Sequence, residues 1–289
     1  MILSSLHYNS MVWVNMSEDR SFYAFLGKID AFDGQYIGGM KGMRRLIEKM
    51  GIQKNPAYKA LEVGAATGFT SCYVAKEYGC NVTSTDISKE LVEKGQSRAK
   101  KLGLSNVEFM VADAMNLDFN DGIFDAVYGI ATTGVLPDKP RALAEYFRVV
   151  KQGGVIGGLD LFMRDEASQE VEAAINLTMG KVVGSGTRVM RLDEWRRLLE
   201  ESDLGEVEVE VHFEDVFENQ GFGLGAVFRY VKLVYYLLMD SWFRSLFFEV
   251  MELRKVVSET SGDVFENIGY LLYTGKKRSM QIRESKCNR

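Results

Sequence analysis

The chain has 289 residues, 46% of them hydrophobic, which is enough for one large α/β domain with a substantial core. Its net charge of −5 argues against a nucleic-acid partner, because a phosphate backbone is bound by a basic surface. Cys72, Cys80 and Cys287 are too few and too unevenly spaced for a disulfide framework or a zinc site. We therefore expect a cytoplasmic protein without a metal site.

Residues 1–56 precede the first predicted strand and contain helical patterns at 20–31 and 40–50. Between these patterns, residues 35–40 read Gln-Tyr-Ile-Gly-Gly-Met. Two roles stay open for this stretch. It is either a glycine-rich turn between two packing helices or a segment whose Tyr36 and Gly39 face a ligand.

An apolar strand at residues 60–63 leads into a turn of small residues, 64–68, and then directly into a predicted helix. We call residues 64–68 the glycine turn. Its residues carry no side chain or a short one, so a ligand can lie against backbone N–H groups and the positive end of the helix. The turn lacks the lysine of a phosphate-binding loop. On its own it allows two interpretations, a ligand cradle or a packing device.

Acidic residues follow the next strands of the predicted parallel sheet. Asp86 ends the strand at 81–85, about 20 residues after the glycine turn, where a carboxylate accepts hydrogen bonds from ribose hydroxyls in doubly wound sheets. A strand at 107–111 is followed by Asp113, and a strand at 155–160 ends in Asp160 after a predicted turn at Gly153 and Gly154. Ligands of open α/β sheets bind at this edge.

Beyond the core, the pattern predicts a helix at 165–178, a loop at 180–186 and an amphipathic helix that begins at Leu192. Strands at 206–213 and 269–274 complete the sheet, and the aromatic-rich residues between them, 214–263, form an insertion. Charged residues interrupt its apolar runs, so we expect no bilayer span. Three interpretations remain: a helical lid over an apolar substrate, a homodimer interface, or membrane-surface contact through residues 222–253.

The chain resembles the class I S-adenosylmethionine-dependent methyltransferases, and within them the small-molecule branch that includes quinone and sterol methyltransferases. The motifs that carry the resemblance lie in order between about residues 57 and 160: Leu-Glu-Val-Gly-Ala-Ala-Thr-Gly at 61–68, Ser-Thr-Asp-Ile-Ser at 84–88, Val-Ala-Asp-Ala at 111–114, Phe-Asp-Ala-Val at 124–127 and Arg-Val-Val-Lys-Gln-Gly-Gly at 148–154. The resemblance implies an α/β fold, with a Rossmann-like, doubly wound sheet of seven strands whose last strand is antiparallel.

The resemblance also implies S-adenosylmethionine as cofactor. The glycine turn would cradle its methionine part, Asp86 would bind the ribose, and Asp113 with Ala114 would contact the adenine. The complete set of implied cofactor residues is Glu62, Gly64, Ala65, Ala66, Gly68, Asp86, Ile87, Asp113, Ala114, Ile130 and Ala131.

Two positions depart from the family pattern. Relatives usually have glycine where Ala66 stands, so we expect Ala66 to keep a negative φ. Many relatives also have a histidine after the fourth strand. This chain has only His7 and His212, so a histidine general base is not expected.

The domain organisation that follows has four parts. Residues 1–56 form a helical segment that covers the cofactor, and residues 57–213 with 264–277 form the core, with a helical excursion at about 163–190. Residues 214–263 are the insertion, and residues 278–289 are a basic tail.

The expected reaction is methyl transfer to a small, apolar acceptor, at an oxygen, carbon or nitrogen of a quinol, phenol, sterol-like or amine compound. Asp160 and Tyr36 are the candidate catalytic residues, Asp160 as a substrate-orienting group, with Thr132 and Thr133 as lesser candidates. The alternative for Asp160 is a carboxylate that caps a loop. The alternative for the whole protein is an inactive cofactor-binding partner or regulatory protein of the same fold.

Overall fold

The computed structural model describes residues 37–182, 187–214, 216 and 264–277, and parts of 233–252, namely 233–241, 244–245, 247–248 and 251–252. Predictions for residues 1–36, which include Tyr36, for most of the insertion and for the tail lie outside these residues. The helices are α1 (Gly39–Lys49), α2 (Phe69–Tyr78), α3 (Lys89–Lys101), α4 (Lys139–Val149), α5 (Gln169–Val182) and α6 (Leu192–Glu201). The strands are β1 (Lys59–Val63), β2 (Asn81–Asp86), β3 (Val107–Val111), β4 (Phe124–Ile130), β5 (Val150–Met163), β6 (Leu204–His212) and β7 (Ile268–Lys277).

The seven strands form one sheet in the order β3-β2-β1-β4-β5-β7-β6. Strands β1 to β5 pair in parallel, and β7 runs antiparallel to both of its neighbours, β5 and β6. The predicted doubly wound fold is therefore confirmed. Because strand side chains alternate between faces, Ala60 packs in the cluster that contains α1 and α2 residues, while Leu61 packs in the cluster that contains α4 and α6 residues.

The fifth strand differs from its prediction. It begins at Val150 rather than Val155, and Gly153 and Gly154 lie inside it rather than in a turn before it. Phe124 pairs with Val150 and Ala126 with Val155, so the extra residues bulge out of the ladder, and Gly153 takes φ 71° there. A left-handed glycine thus serves a β-bulge here.

The helix after β5 also differs. It spans Gln169–Val182 rather than 165–178, so the predicted loop at 180–186 was wrong for residues 180–182. Ser168 explains the later start, because its Oγ accepts a hydrogen bond from the Val171 N–H, as an N-cap residue does. Strand β6 starts at Leu204, and a register shift between Gly205 and Glu208 places Glu206 at φ 51°.

The insertion leaves and rejoins the sheet at one edge. Strand β6 is parallel to β5, because both pair antiparallel with β7, so β6 ends at the same edge as the five parallel strands. Strand β7 starts at that edge, where Ile268 pairs with Met163. Just past β6, the Val216 carbonyl accepts a hydrogen bond of 3.0 Å from the Gly38 N–H. Residues 1–36 and the insertion therefore both join the described fold at the carboxyl edge of the sheet.

Two helical glycines allow a test of this packing. A Cβ on Gly95 of α3 would collide with the ring of Phe109, whereas a Cβ on Gly180 of α5 would meet nothing within 4 Å. We expect Gly95→Ala to lower the free energy of unfolding by about 1–3 kcal/mol through overpacking. The matched Gly180→Ala should raise it by about 0.5–1 kcal/mol, because alanine has the better helix propensity. Urea denaturation measures both, and equal effects of the two substitutions would contradict the placement of α3 on β3.

Candidate cofactor site

The glycine turn approaches its neighbours so closely that two of its residues must be glycine. Gly64 and Gly68 both have φ 70°. A Cβ on Gly64 would collide with the Thr132 side chain, and a Cβ on Gly68 would collide with the Phe109 ring. Ala65 then donates its N–H to the Thr85 carbonyl at 2.8 Å. The turn is thereby fixed against β2 and against the loop that follows β4.

Asp86 connects the glycine turn to the turn after β2. Its Oδ2 accepts a hydrogen bond of 2.8 Å from the Ala66 N–H, and its Oδ1 accepts one of 2.9 Å from the Ser88 N–H. Asp86 is buried. A carboxylate has about four lone-pair positions, so one side chain can accept hydrogen bonds from backbone N–H groups and from the hydroxyls of a ribose. The residue therefore has a structural role as well as the predicted binding role.

Ala66 adopts φ 47°. The expectation that it keeps a negative φ was wrong. Its N–H must point at the Asp86 carboxylate from the left-handed region, a conformation that costs an alanine roughly 1–2 kcal/mol. The family's usual glycine would adopt it without that cost, so the chain stores local strain in the glycine turn.

The carboxyl ends of β2 and β3 leave apolar surface open beside Asp86. Ile87 is 47% exposed although it is apolar. The Ala112 N–H donates to the Asp86 carbonyl at 3.1 Å, which holds the end of β3 against the end of β2. Asp113 uses one carboxylate oxygen to accept the Met115 N–H at 2.8 Å, and Ala114 is buried. These predicted residues are thus brought together at one edge of the sheet.

The loop between β4 and α4, residues 131–138, closes the site on the other side of the glycine turn. Ala131 has φ 55° and donates its N–H to the Leu159 carbonyl at 2.7 Å. Thr132 is buried, and its hydroxyl lies 3.1 Å from the Ile130 carbonyl and 3.4 Å from the Gly64 carbonyl. The β4–α4 loop therefore contacts the glycine turn directly.

Glu62 lies on β1 beneath the start of α2. It is buried, and the Ser71 hydroxyl donates a hydrogen bond to its Oε2. Burial raises the pKa of Glu62 to about 8, although the hydrogen bonds from Ser71 and Thr70 oppose this shift. Near neutral pH the carboxyl group therefore carries a proton for much of the time. The hydrogen bond described for its carboxyl group comes from Ser71, near the start of α2.

The two candidate catalytic residues have different outcomes. Tyr36 lies outside the described residues. Asp160 is 1% exposed, and its Oδ1 accepts the Gly134 N–H at 2.9 Å. This contact is what a loop-capping carboxylate makes, so the structure favours that alternative over direct contact with an acceptor. The partner, Gly134, lies 26 residues away along the chain and had no signal of its own in the sequence.

The arrangement of backbone and side chains fits a nucleoside cofactor with a small polar end. The glycine turn offers surface with few and short side chains, Asp86 places a carboxylate beside it, and Ile87 presents an apolar face. Within the described part of the chain, no group of three or more His, Cys, Asp or Glu side chains is arranged to hold a metal ion.

Comparison with known proteins identifies the family. Residues 60–154 match a family model described as a methyltransferase domain. A sterol 24-C-methyltransferase of Gibberella zeae is 30% identical over 178 residues, which cover 61% of this chain and 43% of that protein. A 2-methyl-6-phytyl-1,4-hydroquinone methyltransferase of Synechocystis sp. is 40% identical over 113 residues, which cover 38% of this chain and 34% of that protein. The resemblance to the class I S-adenosylmethionine-dependent methyltransferases is confirmed, and residues 60–154 form the matching methyltransferase domain.

The fold agrees with this assignment. A solved geranyl diphosphate methyltransferase in complex with S-adenosylmethionine superimposes with a TM-score of 0.58 at 16% identity, over 81% of this chain and 84% of that one. The match to a methyltransferase domain supports the predicted cofactor, S-adenosylmethionine. The matches to the two curated relatives span less than half of the length of each.

The strain at Ala66 gives a first test of the site. We expect Ala66→Gly to raise the free energy of unfolding by about 0.5–1 kcal/mol, because the relief of a left-handed alanine exceeds the entropy cost of glycine. The neighbouring Ala65 has no positive φ and is buried, so Ala65→Gly should lower it by about 0.5–1 kcal/mol. Thermal or urea denaturation measures both, and destabilisation by Ala66→Gly would contradict the turn geometry.

Asp86 gives a second test. Asp86→Ala removes the acceptor for two backbone N–H groups together with the proposed ribose contact, so we expect no measurable binding of S-adenosylmethionine by calorimetry. The exposed Asp118, in the segment between β3 and β4, is the matched control, and Asp118→Ala should bind normally. Near-normal affinity of the Asp86 variant would exclude this residue from the cofactor site.

Proposed function

We propose that this methyltransferase acts on a small, mostly apolar acceptor that binds between the cofactor site and the insertion. The observation that carries the proposal is topological. The insertion departs after β6 and returns to β7 at the carboxyl edge, which is also the edge that holds the glycine turn and Asp86. A segment of about 50 residues at that position is well placed to cover an acceptor.

The described part of the insertion has the chemistry that such a cover requires. Residues 233–239 are helical, and five large apolar side chains there and in 244–252 are exposed: Tyr235, Leu238, Met239, Phe248 and Met251. Exposed apolar side chains of this size are usually covered by a ligand or a partner. None of the helices within the described residues is both long and apolar enough to cross a bilayer. The named relatives act on a sterol and on a prenylated hydroquinone, which are apolar acceptors.

The protein's own part in the reaction is positioning. When bound, S-adenosylmethionine supplies the electrophilic methyl group. The glycine turn and Asp86 would hold the cofactor in one orientation, and the β4–α4 loop closes the site beside them. An in-line displacement then requires an aligned nucleophile and exclusion of water, both of which a covering segment provides. Few obligatory side chains are needed, which agrees with the small number of polar groups that the described residues bring to the site.

A methyl-transfer assay with a panel of compounds would identify the acceptor directly. We expect labelled S-adenosylmethionine to transfer its methyl group to at least one member of a panel of quinols, phenols, sterols and amines, with apolar members preferred. Asp86→Ala should abolish transfer to every one of them. Tight cofactor binding without transfer to any compound would instead favour a cofactor-binding protein that lacks transferase activity.

The role of the insertion is tested with two matched surface substitutions. Leu238 and Leu102 are both exposed, at 69% and 51%, but Leu102 follows α3 at the opposite edge of the sheet. We expect Leu238→Glu to raise the KM for the acceptor about fivefold or more, because a charge would disfavour apolar contact there. Leu102→Glu should leave it unchanged. An unchanged KM in Leu238→Glu, combined with a loss of dimer or of vesicle binding, would assign the insertion to an interface or to a membrane surface.

A further inference from the structure

Asp160 has an incomplete set of hydrogen bonds in the interior. Its Oδ1 accepts the Gly134 N–H at 2.9 Å, but its Oδ2 is buried and has no hydrogen-bond partner. A Cβ on Gly134 would lie 3.1 Å from this Oδ1 and 3.3 Å from the Trp195 ring, so glycine, carboxylate and indole meet closely. An unsatisfied buried carboxylate oxygen is costly, which makes it an unusual way to anchor a loop.

The loop that Asp160 anchors is the one that contacts the glycine turn. Gly134 follows Thr132 and Thr133 in the β4–α4 loop, and the Thr132 side chain occupies the space that a Cβ of Gly64 would need. The Thr133 hydroxyl lies 3.1 Å from the Tyr273 hydroxyl, which holds the same loop from β7. A change at Asp160 is therefore passed to the glycine turn through Thr133 and Thr132, two consecutive residues of the β4–α4 loop.

Three titratable groups face Asp160 from the elements packed against it. They are Lys139 and Tyr146 of α4 and Tyr273 of β7. Burial is the main cause that raises the pKa of Asp160 to about 7, against the Gly134 N–H, the Lys139 charge and the Thr132 N–H, which all favour the ionised form. Lys139 is itself buried and donates to the Leu136 carbonyl, and burial lowers its pKa. The ammonium group is thus directed at the loop backbone.

The direction of the coupling follows from thermodynamic linkage. If the β4–α4 loop in the arrangement described above raises the pKa of Asp160, ionisation of Asp160 must destabilise that arrangement of the loop by the same free energy. The neutral acid, present below pH 7, is compatible with the loop as described. The anion, present above pH 7, favours an arrangement in which Oδ2 is better solvated.

We propose that Asp160 is a positioning residue for the cofactor site, which through the Gly134 N–H holds Thr132 against the glycine turn and releases this hold when its carboxyl group ionises. The proposal rests on the assigned cofactor, but it needs no acceptor, so it stands or falls separately from the proposed reaction. Asp160 does not touch the reacting atoms in this arrangement.

Calorimetry with S-adenosylmethionine at pH 6 and pH 8 tests the proposal. Asp160→Asn keeps an oxygen for the Gly134 N–H and cannot ionise, so at pH 6 it should bind within about threefold of the wild type. From pH 6 to pH 8 the wild type should lose about three- to tenfold in affinity relative to this variant, because most of its Asp160 becomes ionised over that range. The ratio cancels the titration of the cofactor's own amino group, which both proteins experience alike.

Asp160→Ala removes the acceptor and should bind about tenfold more weakly at pH 6, with Asp160→Asn as the conservative rescue. A wild-type-to-Asn affinity ratio that is constant between pH 6 and pH 8 would overturn the proposal. So would weak binding by the Asn variant at pH 6, or normal binding by a folded Ala variant. If the Ala variant does not fold, the Asn ratio decides alone.

Trp195 provides a signal from the free protein. It lies against the Gly134 and Asp160 contact, and its indole N–H donates to the Leu161 carbonyl at 3.1 Å. In a background in which Trp13 and Trp242 are replaced by Phe, we expect the Trp195 emission to titrate with a midpoint near pH 7. Asp160→Asn in that background should abolish the transition. A transition that persists unchanged in the Asn variant would assign it to another group and overturn the proposal.

Discussion

The carboxylate of Asp86 is the contact on which the geometry of the site depends. It accepts one N–H from the turn after β1 and one from the turn after β2, and so joins two loops that are 20 residues apart in sequence. Ala66 and Ser88 precede the first residues of α2 and α3, so no carbonyl of these helices accepts from their N–H groups. Without Asp86 the two N–H groups would face the ligand or solvent. Ala66 adopts a left-handed backbone conformation, from which its N–H donates to Asp86. One side chain thereby fixes the two turns that are predicted to contact the cofactor.

The parts of the fold that rest on local pattern could be predicted from the sequence. The parallel strands, the carboxylate at the end of β2 and the glycine turn follow from apolar periodicity and from turn residues, and the predicted seven-stranded, doubly wound sheet is confirmed. The conformation of Ala66 could not be obtained in this way, because its cause is a hydrogen bond to a residue on another strand. Propensity alone favours a negative φ for alanine, and a tertiary contact overrides it.

The error around β5 has the same origin, whereas the error around α5 does not. A Gly-Gly pair is typical of a turn, yet Gly153 and Gly154 lie in a bulge because Val150 already pairs with Phe124 on the neighbouring strand. Gly180 suggested a loop, but nothing crowds it and the helix continues to Val182. The partner of Asp160 was hidden for a related reason: Gly134 reaches it only through the sheet topology and belongs to no motif. For the strands, local signals specify the elements, whereas strand pairing decides where they begin and end.

The site has two parts: one is fixed by the backbone, and the other can vary in its side chains. This difference explains which properties distant relatives have in common. The residues predicted to hold the cofactor, which are those of the glycine turn and the acidic strand ends, all lie within the residues 60–154 that match the methyltransferase model. Asp160 and the insertion lie beyond that match. An acceptor at the carboxyl edge would be bound by side chains from the segments that join the sheet there. The identity of the acceptor can therefore change while the glycine turn stays the same. Distant relatives can therefore share one cofactor and one fold and still methylate different molecules.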